Sequence, residues 1–130
     1  MNENRVIYLS TSAQEFNIGV GNFCSEEYRM NRLGDIVENK LKSLGYTVYR
    51  NNSNNTLRQI VEESNRILPN IHVALHSNAR GSGFEGRGPE IYANREGTPG
   101  AKLAQDIYDK IIITLSREAK VCLLKKLKGN

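Results

Sequence analysis

Apolar and polar positions along the chain follow two periods in turn, and together they predict strands alternating with helices. Val6-Ile7-Tyr8-Leu9 is a short apolar run of buried-strand character, and the polar, glycine-containing stretch from Ser10 to Cys24 predicts a loop. Ser25 has N-cap chemistry, with Glu26 and Glu27 in the first turn, where carboxylates complement the helix dipole. Met30, Leu33, Val37, Leu41 and Leu44 keep one helical stripe as far as Gly45, a natural stop. Tyr46-Thr47-Val48-Tyr49 predicts a second strand. After the turn-rich Asn51–Asn55, Thr56 and Gln59 have capping-box spacing. Leu57, Ile60, Val61, Ser64 and Leu68 then give a second helix its inner face, closed by Pro69.

Ile71-His72-Val73-Ala74-Leu75-His76 predicts a third strand, apolar enough for the middle of a sheet. The glycine-rich Arg80–Gly88 predicts a loop, and Glu90–Ala93 a fourth strand. Thr98 or Pro99 opens a third helix carrying Leu103, Ile107, Ile111 and Leu115. This alternation implies an α/β fold with three αβα layers around a mostly parallel or mixed sheet. Periodicity leaves Val121–Lys128 open between a last strand and a short basic helix, so the sheet is expected to be incomplete at the carboxyl end.

Composition narrows the class. A chain of 130 residues and 14.6 kDa suits a single domain over residues 1–130, and no internal repeat or linker divides it. With 38% hydrophobic and 25% charged residues it is expected to fold. No run approaches the roughly 18–20 apolar residues of a membrane span. The first apolar run is too short for a signal-peptide core, which predicts either a cytosolic chain or one released without a cleaved signal. The net charge of +4 concentrates in Lys110, Arg117, Lys120, Lys125, Lys126 and Lys128. That cluster reads either as a solvated helix face or as an attractor for an anionic polymer. No aromatic platform or motif supports nucleic-acid binding. Cys24 and Cys122 define neither a disulfide framework nor a cysteine metal site.

Both histidines, His72 and His76, fall on the third strand, where a spacing of four puts them on one face. Mid-strand His72 reads best as a satisfied core residue. His76 stands where the strand gives way to Ser77-Asn78-Ala79, and the carboxyl ends of strands are where α/β sheets bind ligands. A helix-start glutamate, the loop after the first strand and His76 would converge above one rim of the sheet. Three donors with an open fourth position are what a catalytic zinc needs. Taken alone, Glu26 and Glu27 are most simply helix-start carboxylates.

The segments Glu27-Tyr28-Arg29-Met30-Asn31 and Leu75-His76-Ser77-Asn78-Ala79 resemble the zinc-dependent N-acetylmuramoyl-L-alanine amidases of the third type, shared by autolysins, sporulation amidases and phage endolysins. That family places a metal-binding Glu four residues before an Asn on its first long helix, and a metal-binding His in a strand ending His-x-Asn-Ala. Gly45-Tyr46-Thr47-Val48 with Arg50, Thr56-Leu57-Arg58, Ser64-Asn65 and Gly88-Pro89-Glu90-Ile91-Tyr92 resemble its following segments in order, so the similarity runs from about Val6 to about Tyr108. The resemblance implies Zn2+ bound by Glu27 and His76, and peptidoglycan as substrate.

Two departures stand out. Where the family has a His in a Gly-His-Gly context, this chain has Ser10-Thr11-Ser12-Ala13-Gln14-Glu15-Phe16-Asn17, similar to a clostridial subgroup with Thr11 in place of a proline. Gln14 is the nearest substitute ligand, and it reads equally as a loop hydrogen-bonder. The family's general-base Glu follows a late strand in an Ala-x-Leu-x-Glu context that nothing after Tyr108 matches, so the resemblance places it beyond Asn130 and implies little hydrolysis by this chain. Asn78, Arg80 and Arg87 are expected to contact stem peptide or sugar. A non-catalytic peptidoglycan-binding or regulatory remnant is the alternative. An incomplete sheet would also leave an edge that invites pairing with a second copy. A bacterial or phage origin, with synthesis in the cytoplasm and action on the cell wall, follows from the same resemblance.

Overall fold

The computed structural model describes residues 5–11, 26–77, 88–119 and 127–129. They form β1 (Val6–Thr11), α1 (Glu26–Ser43), β2 (Thr47–Arg50), α2 (Leu57–Ile67), β3 (Ile71–Leu75), β4 (Ile91–Ala93), α3 (Pro99–Ala119) and β5 (Leu127–Gly129). The chain divides into two compact units, Met1–Ala79 and Arg80–Asn130. No described helix is long and apolar enough to cross a membrane.

In the first unit β1 is the middle strand of a parallel sheet ordered β2-β1-β3. Tyr8 and Leu9 are completely buried, as expected for a strand covered on both faces. Strand faces alternate, so Ile7, Leu9, Thr11, Val48 and Arg50 share one face while Tyr8, Ser10 and His72 share the other. Thr11 and Arg50 reach Asn31 of α1. Tyr8 reaches Glu63 and His72 reaches Ser64, both on α2. The helices therefore flank opposite faces, giving three layers. In the second unit α3 packs on β4 and β5, which pair in parallel, around buried Ala93, Ala104 and Tyr108.

β1 is longer than its apolar run predicts. Ser10 and Thr11, read from sequence as the start of a loop, are ladder residues paired with Ala74 and Leu75. Their hydroxyls find partners inside the fold, which removes the cost of burying them. Of the open segment Val121–Lys128, Leu127 and Lys128 lie in β5, and the rest lies outside the described residues.

The punctuation marks of the sequence behave as their chemistry requires. Tyr46 N–H donates to Leu41 C=O and Gly45 N–H to Lys42 C=O, a Schellman closure with Gly45 at φ 90°. Thr56 Oγ1 accepts from Gln59 N–H at 3.3 Å while Thr56 N–H donates to Gln59 Oε1 at 2.8 Å, completing the capping box. Leu68 ends α2 in the left-handed region, at φ 52°. Asn70 then ties β3 to β1, donating its N–H to Val6 C=O and accepting Val6 N–H at Oδ1. Thr98 Oγ1 accepts from Ala101 N–H, with Pro99 as the first helical residue of α3.

His72 is satisfied, although not as a core residue, since among the described residues β3 is the edge of this sheet and His72 is exposed. Its Nε2 lies 2.9 Å from Ser10 Oγ and its Nδ1 2.9 Å from Ser64 Oγ, with the Tyr8 ring edge-on at 4.9 Å. Tyr8 in turn donates to Glu63 Oε2 at 2.6 Å. Burial, reinforced by that carboxylate, raises the Tyr8 pKa, so the phenol stays a donor. Desolvation lowers the His72 pKa.

Two predictions follow from this packing. Replacing Thr56 by Ala should lower unfolding free energy by about 1 kcal/mol in urea titration, and Thr56→Asp should retain most of it. No loss in the alanine variant would show that the cap contributes nothing. For His72, the folded state disfavours the proton that the unfolded chain takes up near pH ~6.5. Its contribution is therefore fully present above that pH and lost as pH falls through it. The stability of wild type relative to His72→Gln should shrink on acidification from pH 8 to 5; a constant difference across that range would contradict this.

Candidate active site at the carboxyl ends of the strands

Where β1 and β2 end, the ladder is continued by a side chain. Asn51 Oδ1 accepts Thr11 N–H at 2.8 Å, and Asn51 Nδ2 donates to Thr11 C=O at 3.3 Å, so one amide replaces the next backbone rung. Both residues are buried. Over this end lies α1. Thr11 Oγ1 donates to Asn31 Oδ1 at 2.7 Å. Arg50 Nη2 donates to the same oxygen at 3.2 Å and to the Asn31 backbone C=O at 3.1 Å. Arg50 Nη1 pairs with Asp35 at 3.0 Å and lies 3.8 Å from Glu38.

This close approach needs Gly34. A Cβ built there would sit 2.5 Å from Arg50 Nη2 and 2.6 Å from Thr11 Cγ2, well inside contact distance. An isolated glycine within a helical stripe usually has such a packing reason. No local pattern marks Gly34, Arg50 and Asn51 as members of a shared network. The available signals were the glycine inside a helix and an arginine closing a short strand.

The predicted site residues fall around this network. Glu27 is half-buried in the first turn of α1, one turn before Asn31 and on the same side of the helix. His76 is the first residue beyond β3 and is exposed. Arg29 Nη2 donates to Ser77 Oγ at 3.1 Å. The start of α1 and the end of β3, which carry Glu27 and His76, are thus joined directly through residues two and one positions away. Gln14, Asn78, Arg80 and Arg87 lie outside the described residues, as do both cysteines.

A carboxylate and an imidazole are the donor types that zinc takes from proteins. Among the described residues no three His, Cys, Asp or Glu side chains gather into a metal cluster. Glu27 and His76 supply two donors of the types that zinc takes.

No family model matches the chain, and no curated protein matches it in sequence. Among solved structures, the N-acetylmuramoyl-L-alanine amidase AmiC2 of Nostoc punctiforme matches with a TM-score of 0.71 at 16% identity, over 98% of this chain and 69% of that one. At that identity the likeness establishes a shared α/β fold.

Proposed function

We propose that this chain is a zinc-binding domain of the amidase type directed at the amide bond between N-acetylmuramic acid and the L-alanine of the stem peptide, with little hydrolysis expected while no general-base Glu is assigned. The observation that carries the reading is the Arg29–Ser77 hydrogen bond, which ties the helix start bearing Glu27 to the strand end bearing His76. The amidase fold and the Glu27…Asn31 and His76-Ser77-Asn78-Ala79 patterns support it independently.

In this reading Glu27, His76 and Gln14 hold the metal. Zinc, when bound, supplies the Lewis acidity that makes a water nucleophilic near neutral pH and polarises an amide carbonyl. Glu27 contributes the one formal negative charge, from the first turn of α1. His76 contributes a neutral imidazole from the strand rim, the usual ligand-binding edge of a parallel sheet. Gln14 contributes a neutral amide oxygen, a weaker donor than the imidazole usual in the family. Asn78, Arg80 and Arg87, following His76 in sequence, are assigned to substrate contact; guanidinium groups suit the carboxylates of a stem peptide.

Calorimetric titration of the purified chain at neutral pH should show one zinc bound. Glu27→Ala and His76→Ala should each weaken it by at least ~100-fold, whereas Gln14→His should tighten it. The substrate class is read by cosedimentation with purified sacculi, which should fall when the stem peptides are stripped from the glycan. Any peptides released should carry a free L-alanine amino terminus. Equal binding to peptide-free glycan, or release of reducing sugar ends, would overturn the assignment.

A further inference from the structure

Resting on that reading, we infer that Thr11, Asn31 and Arg50 are positioning residues that fix the pitch and rotation of the first turns of α1, and so set where the Glu27 carboxylate stands. The first turn of any helix lacks intrahelical partners for its N–H groups and frays unless something holds it. Here the holding point is Asn31. One side-chain oxygen accepts from Thr11 of β1 and from Arg50 of β2, and its backbone carbonyl accepts from Arg50 as well.

Contacts from two different strands to one helical residue fix both the distance of α1 from the sheet and its rotation about its own axis. The other arginine amino group pairs with Asp35, extending the grip into the next turn. Gly34 admits the arginine between them. Glu27 lies one turn toward the amino end, about 6 Å along the axis, on the same side as Asn31. A slip of one residue would swing it by about 100°. Metal ligation tolerates errors of only about 0.2 Å, so the site depends on this anchor although none of its members binds metal.

The test combines hydrogen exchange with zinc affinity on the full chain. In the metal-free protein, Asn31→Ala should raise exchange of the amides of residues 30–33 at least ~10-fold, while Leu9 and Val48 in the strands keep wild-type rates. Asn31→Asp keeps both acceptor bonds and should restore protection; Asn31→Leu should not. Zinc affinity should fall ~10-fold in Asn31→Ala. Arg50→Lys keeps the charge near Asp35 but loses the forked donor, and should reproduce the same local loosening if Asn31→Ala does not fold. Unchanged exchange in both variants would overturn the inference, as would equal acceleration of strand and helix amides, which marks global destabilisation. Local loosening with no zinc binding by the wild-type chain would sustain the anchor and refute the metal reading.

Discussion

The carboxyl ends of two parallel strands leave backbone and side-chain polar groups that must be satisfied without water, and most of this molecule's first unit is organised around that requirement. Thr11 ends β1 buried, with its N–H, C=O and hydroxyl all engaged by Asn51 and Asn31. Arg50 ends β2 with its guanidinium drawn in over the sheet and neutralised by Asp35. Arg50 Nε is buried there without a hydrogen-bond partner among the described residues, so the other contacts of its guanidinium must offset a cost of about 1–3 kcal/mol. Because α1 supplies the acceptors, its seat on the sheet is decided by polar contacts rather than by its apolar stripe. That stripe is only partly used: Leu33 and Leu44 remain exposed.

The elements of the fold were legible where local chemistry decides them. The capping box at Thr56, the Gly45 stop, and the Thr98-Pro99 start act within a few residues, and each appears as its sequence pattern implies. The end of β1 was not legible. Ser10 and Thr11 look like loop residues, and only partners distant in sequence, His72 and Asn31, make them strand residues. His72 shows the same limit from the other side. Its satisfaction by two serines on different elements is foreseeable in kind, but its exposure depends on β3 being an edge among the described strands, which no local pattern encodes.

The site was legible in part for a related reason. Glu27 and His76 stand out by motif and by their places at a helix start and a strand end. The structure ties those two places together through Arg29 and Ser77. What motif reading gave no hint of is the support beneath: an arginine from β2 reaching past a glycine to grip the turn after Glu27. Such support spans three elements and has no fixed spacing, so it surfaces only in three dimensions. The Gln14 segment and the arginines after Asn78 remain assigned by sequence alone.

The central claim is that the start of α1 and the end of β3 together present one carboxylate and one imidazole to a single zinc ion. Anomalous diffraction at the zinc edge, on crystals of the chain grown with the metal, tests it most directly. The account predicts one strong peak lying between the Glu27 carboxylate and the His76 imidazole, at about 2.0–2.2 Å from each. A peak bound elsewhere, or zinc contacting only one of the two side chains, would contradict it.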